Sequence, residues 1–566
     1  MITESFDSTA AHSFAGPTTV IHGDADPSTF HNVTGDQYHA FVNSAQDVRE
    51  LLATLKPVDR SDSYVPPCMP GTRQDIFEAV DRWLDDVSES NILCIRGSPG
   101  SGKSTIASSL VSRITERGQL SANFAFKREN ITLRDPTTVW RTIAHDLSRH
   151  EAFAQTLVQV LKGPNLHPGR SDIMSDFRYL IKEPFTRSLP HATSIIVIDA
   201  VDECSSEGSL AGQRKTFFDT LTEWSSLPGR CKLIVTARDD HIPDTFRAVC
   251  KQLTLLTGAD VNESVNEDIR RFFEIRIAEF GECLDSEMLV RERVFERLTS
   301  RAAGLFIWAN TVVRFMDEGI HQERLELVLN GTMGGGDNII KLYQQFLEFS
   351  FPRPDDYMMS VFRHVVGAIV LSKVPLHEDD LPHFTSEQKP SVKSILDNLS
   401  TFLSTGAHGR VRISHLSFSE FLCDPSQCPK PFYIDQKVIN EELMTACFRL
   451  MRDGLRFNIC RLETSHLFNW QVEDLSQRIK TNVGSALLYS CRYWAAHLQD
   501  TMADEYDRNA LTAELEDFLH IRLLFWLEVM SLANEVAVAN VSLLKVAQAI
   551  TVSVSAIVIA SRWLTC

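Results

Sequence analysis

The sequence of 566 residues contains no Cys-x-x-Cys pair among its twelve cysteines, and Cys423 and Cys428 are the closest couple. Zinc sites and thioredoxin-like redox motifs need closely spaced thiols, so reduced cysteines in a cytoplasmic protein are expected instead. Basic charge is also in deficit: 56 Lys and Arg stand against 74 Asp and Glu, a formal net charge of −18. No face is basic enough to neutralise a phosphate backbone, which argues against nucleic acid as the main partner. The opening "MITESFDSTAAHSF" lacks the basic start and apolar core of a secretory leader. The sequon at Asn32 is accordingly read as chance. A spanning helix needs about 20 apolar residues. The uncharged stretch 546–561, "VAQAITVSVSAIVIAS", falls short of that and is interrupted by Gln548, serines and threonines. It is expected to be a buried helix, with a membrane anchor over 536–564 as the alternative. No repeat of fixed period is visible, so a solenoid or propeller is not expected within the chain.

What remains is the composition of an ordinary globular protein, 43% hydrophobic and 23% charged. The length is too great for one core and suggests three or four domains. Five short apolar runs read as buried strands: 91–96, 121–127, 193–200, 231–237 and 251–256. Helical patterns lie between them, which predicts an α/β fold, a parallel sheet with helices on both faces. After about residue 260 the patterns are helical, apart from one short strand in "RVRISHLS". The expected organisation is a polar extension over 1–60, the α/β core over 61–258 and a helical domain over 259–335. The glycine linker "GTMGGGD" at 331–337 closes that domain. A winged-helix-like domain over 336–430 and a second helical domain over 431–566 follow.

The chemistry is concentrated at "GSPGSGKST", which comprises Gly97, Ser98, Pro99, Gly100, Ser101, Gly102, Lys103, Ser104 and Thr105. Gly97-x-x-x-x-Gly102-Lys103-Ser104 fits the phosphate-loop spacing, in which glycines let successive N–H groups face phosphate oxygens. Lys103 is expected at the β- and γ-phosphates, and the Ser104 hydroxyl on Mg2+. The run "NILCIRG" before the loop reads as a strand, and "STIASSLVSRITERG" after it reads as a helix ending at Gly118. In "IIVIDAVDEC" the apolar run carries Asp199 to a strand's C-terminal edge, where ligands bind in open α/β sheets. Asp199 is expected to hold Mg2+ opposite Ser104, with Asp202 and Glu203 close enough to orient a water. In "LIVTARDD", Thr236 and Arg238 end the next apolar strand, and the guanidinium of Arg238 suits a γ-phosphate.

This set resembles the NACHT domain of STAND P-loop NTPases, and more closely the nephrocystin-like NACHT proteins of mushroom-forming fungi. The likeness extends through "CMPGTR", "DPTTVWRTIAHDL", "AAGLFIWANTVVRF", "RISHLSFSEFL", "LRFNIC" and "YSCRYWAAHL". The resemblance implies a nucleotide-dependent switch, closed with diphosphate and open and homo-oligomeric with triphosphate, acting in fungal immunity or programmed cell death. It implies an effector met through the N-terminal extension, and a WD-repeat sensor that does not follow before Cys566. It also implies that His415, in the winged-helix region, reaches the β-phosphate of bound diphosphate. A core histidine is the plain alternative.

In vigorous relatives of this division a glutamate follows the metal-binding aspartate directly. Here that position is Ala200, which suits slow turnover and a switch. Thr72 and Arg73 are expected either at the pocket entrance or capping a helix near Asp75. The sequence does not choose between ATP and GTP, because no guanine-reading N-K-x-D motif is evident and adenine is often read by backbone; ATP is preferred and GTP is not excluded. A steady-turnover NTPase and a non-hydrolysing adaptor are the alternatives.

Overall fold

A computed structural model gives the architecture. The structure describes residues 51–60, 64–162, 172–187, 193–204, 210–238, 242–280, 293–318, 320–330, 338–406, 409–464, 466–501 and 514–549. The opening 1–50, the glycine linker 331–337 and the end of the apolar run from 550 lie outside the described residues. The chain divides into two compact units, Met1–Thr54 and Leu55–Cys566. In the first, described only from Leu51, the hydroxyl of Thr54 donates to the carbonyl of Leu51 over 2.6 Å.

In the second unit all five expected strands form: β1 (Ile92–Gly97), β2 (Leu120–Ala125), β3 (Ser194–Asp199), β4 (Cys231–Ala237) and β5 (Lys251–Leu255). They make one sheet in the order β2-β3-β4-β1-β5, every pair parallel. Side chains alternate across it, as the pleat requires. Leu93, Ile95, Ile195, Val197 and Ile234 enter a hydrophobic core with helices α1 (Gln74–Asp85) and α2 (Lys103–Glu116). A separate aromatic cluster joins Phe126, Trp140, Phe177, Phe217 and Trp224. One expectation fails: β5 is not buried. Lys251, Gln252 and Thr254 are exposed, because β5 is an edge strand with only β1 beside it.

Beyond the sheet, buried residues among those described from Val265 to Val546 share one hydrophobic core. Helices α3 (Glu263–Ala278) and α4 (Phe306–Asp317) begin it. Farther on, the short strand expected in "RVRISHLS" is half of an antiparallel hairpin, β6 (Leu403–Thr405) with β7 (Val411–Ile413). β6 was not anticipated: three residues are too few for alternation to register. The hairpin leads into helix α5 (Leu416–Leu422). The apolar C-terminal run enters a helix, Val536–Ala549, and no helix among the described residues is long and apolar enough to cross a membrane. The chain is a P-loop α/β core followed by helical domains.

Candidate functional site

Parallel register decides where the site lies. Ile95 pairs with Thr236 and Ile198 with Val235, so Gly97, Asp199 and Thr236 emerge together at the C-terminal edge of the sheet. The loop after β1 turns sharply, with φ +79° at Gly100 and +95° at Gly102, conformations that glycine adopts without a Cβ penalty. Helix α2 then starts at Lys103, whose Nζ donates to the carbonyls of Gly97 (2.8 Å) and Ser98 (2.9 Å). The ammonium is thereby folded over the loop. Ser104 and Thr105 lie in the first turn of α2. The hydroxyl of Ser101 is buried without a hydrogen-bond partner, a polar atom within the loop that its own fold does not satisfy.

At the end of β3, Thr236 donates its hydroxyl to Asp199 and accepts from the backbone N–H of Ala200 over 2.8 Å. Ala200 sits in the left-handed region at φ +54°, turning the chain straight into the short helix Val201–Glu203. Asp202 is buried and committed to Arg238: it accepts from that residue's backbone N–H (3.1 Å) and pairs with Nε (3.1 Å). Glu203 accepts from the N–H of Arg128 over 3.0 Å. Burial, reinforced by the nearby Glu129, pushes the Glu203 carboxyl up to about 8 against the partial relief of Lys127. The surroundings of this carboxyl therefore favour its protonated form.

The helical region supplies more of the site than the sheet alone. His415 is the N-cap of α5, and its Nδ1 accepts from the N–H of Ser417 (3.1 Å). Burial, with Arg238, Lys103 and Lys127 around it, pushes the ring down to about 3. A neutral ring accepting at Nδ1 carries its proton on Nε2, so this tautomer, assigned by the hydrogen bond, is a donor. Tyr343 braces the arrangement through a hydroxyl contact of 2.8 Å to Ser417.

Three participants were not anticipated. Glu420, on α5, lies 2.9 and 3.2 Å from Nη1 of Arg238 and 3.2 Å from Nη1 of Arg128. Arg128 sits in a segment held to the helical region by a bond from Ile131 N–H to the Lys373 carbonyl, 3.0 Å. Ile307, on α4, seats directly on Gly100. The one available signal for Glu420 was the single charged residue within "LSFSEFL", following the expected phosphate histidine. Arg73 proves to be a buried brace: it caps α1 at φ +59°, donates from Nη2 to the Ser101 carbonyl (2.7 Å) and stacks 4.6 Å over Phe306. Thr72 turns inward, its hydroxyl donating to the Met69 carbonyl over 2.8 Å.

Residues 71–238 match the family described as Nephrocystin 3, N-terminal. Over that stretch the chain is similar to this family. The matched stretch runs from Gly71 to Arg238 and so contains the loop, Asp199, Asp202 and Glu203, while His415 and Glu420 come from outside it. No curated protein matches the chain. Among solved structures, a STAND protein with a tetratricopeptide repeat sensor from Pyrococcus horikoshii is 12% identical, covering 86% of this chain and 68% of its own, with a TM-score of 0.38. The Aeropyrum pernix ORC2 protein, solved as ADPNP–ADP complexes, is 12% identical over 68% of this chain and 95% of its own, TM-score 0.30. Drosophila ORC bound to DNA is 13% identical over 66% and 96%, TM-score 0.27. Likeness this distant says nothing of what this chain binds.

Proposed function

We propose that the chain is a nucleotide-dependent switch of the STAND type, binding ATP and ADP with Mg2+ and self-associating when triphosphate is bound. One observation carries the reading. The helix that follows the β6–β7 hairpin brings His415 and Glu420 to the same sheet edge as Lys103 and Arg238, so a ligand there would touch two domains at once. In this reading the loop N–H groups and Lys103 hold the β- and γ-phosphates, and Ser104 and Asp199 hold the metal. Mg2+, when bound, would neutralise charge on the phosphate oxygens. His415 would donate its Nε2 proton to a diphosphate oxygen and keep the domains closed. Glu203 would act as base once deprotonated and Arg238 would report the terminal phosphate, with Asp202 holding Arg238 in place. The raised Glu203 carboxyl and the displaced acids after Ala200 favour slow turnover over steady hydrolysis. ATP is preferred to GTP, the setting is cytoplasmic, and the effector is met through the N-terminal extension, in fungal immunity or cell death.

The test is direct. Purified protein is denatured and the released nucleotide identified by ion-exchange chromatography, while light scattering follows particle size with ADP and with ATP and Mg2+. ADP release and growth only with triphosphate are expected. No released nucleotide and no binding by calorimetry would overturn the reading.

A further inference from the structure

The pairing of Arg238 divides its guanidinium between two carboxylates from different domains. Asp202 takes the backbone N–H and Nε, both over 3.1 Å, and so fixes the direction of the side chain from within the sheet domain. Glu420 takes Nη1 with both its oxygens, at 2.9 and 3.2 Å, and reaches Nη1 of Arg128 as well. The two contacts are separable: losing Glu420 leaves Arg238 aimed by Asp202, with Nη1 relieved of its carboxylate.

We propose that Glu420 sets the preference between di- and triphosphate by competing with a terminal phosphate for Arg238. The inference rests on the nucleotide reading given above. A phosphate approaching Arg238 would meet the Glu420 carboxylate beside the same Nη1, and like charges that close repel. A diphosphate, ending one phosphate sooner, leaves the pair intact. Glu420 also ties α5 to the sheet through Arg238 and Arg128, so taking up a terminal phosphate and releasing α5 become a single event. A ligand shifts an equilibrium only by its differential affinity for the two states, and this contact supplies the difference.

The test uses the full chain carrying Glu420→Gln. Its carboxylate is one-third exposed (34%), so the isosteric amide is compatible with the fold. Calorimetry with a non-hydrolysable ATP analogue and with ADP is expected to show triphosphate affinity rising by roughly 5- to 100-fold, the range of typical coupling between sites. ADP affinity should not rise, and falls only as far as a looser α5 weakens the His415 contact. In an Arg238→Gln background, Glu420→Gln should add nothing. A second readout needs no ligand: in nucleotide-stripped protein, amides of α5 should exchange hydrogen faster in Glu420→Gln and in Arg238→Gln, with α2 unchanged. If both nucleotides bind and neither their affinity ratio nor the exchange of α5 moves, this proposal falls and the nucleotide reading stands. If the unmodified chain binds neither nucleotide, both fall.

Discussion

The backbone N–H of Ile307 donates to the carbonyl of Gly100 over 3.1 Å, and its side chain occupies the space a Cβ at position 100 would need. Helix α4 is thus seated on the phosphate loop itself, by a bond and by contact. Arg73 reinforces the seat, because its guanidinium binds the Ser101 carbonyl on one side and stacks on Phe306 on the other.

Gly100→Ala should break that seat. The substitution meets both a left-handed φ and the Ile307 side chain, effects worth about 1–3 kcal/mol each. Faster amide hydrogen exchange in α4 is expected, with exchange in β3 and β4 unchanged. Unaltered exchange in α4 would mean that the helix is held by its own core alone.

Lys103→Ala should weaken nucleotide binding by about 100-fold or more, since two hydrogen bonds to charged oxygens are lost at about 1.5–3 kcal/mol each. The fold should survive, because the Nζ bonds of Lys103 to the carbonyls of Gly97 and Ser98 stay within the loop itself. Calorimetry and circular dichroism check the two halves separately. Undiminished affinity in a folded variant would remove the phosphate-loop reading.

Glu203 gives a pH signature with a definite sign. Its folded value near 8 lies above the ordinary 4.5, so the native state keeps a proton that the unfolded chain has lost. The stabilisation from this group is complete below about pH 4.5 and disappears as pH rises through about 8. Glu203→Gln, neutral throughout, should show a smaller fall in thermal stability between those limits. Its hydrolysis should be slow and flat with pH, whereas that of the unmodified chain should rise toward pH 8 as the base ionises. Single-turnover rates across the range decide it. A variant that hydrolyses as the parent does would assign the base elsewhere.

His415 should govern the release of diphosphate. A hydrogen bond to a charged group contributes about 1.5–3 kcal/mol, so His415→Ala and His415→Leu should release ADP roughly 10- to 150-fold faster and self-associate without a trigger. Leucine fills the space and removes the bond, which separates loss of the contact from loss of packing. Unaltered ADP release from a merely less stable variant would make His415 a core residue.

How much of this was legible depends on whether the information was local. Five apolar runs point to five strands, since a stretch such as "SIIVID" is short and rich in β-branched residues, as a strand covered on both faces is. The loop spacing from Gly97 to Ser104 is a constraint between near neighbours, and Gly118, at φ +68°, ends α2 where the pattern stops. Asp199 could be placed because β3 delivers whatever follows it to the strand's C-terminal edge.

Strand exposure was not legible in the same way. "KQLTLL" reads as β structure, but whether its faces are covered depends on which strand lies beside it, and β5 fell at an edge. The pairing of Glu420 with Arg238 joins residues 182 positions apart, across two domains. No spacing rule spans that distance, because nothing local in either segment depends on the other. The same holds for Ile307 on Gly100 and for Arg73 on Phe306. The sequence by itself determined the sheet domain and the phosphate loop, through apolar periodicity and backbone geometry at short range. Only the tertiary structure decided which helical side chains close over that loop, because packing alone brings them within reach of it.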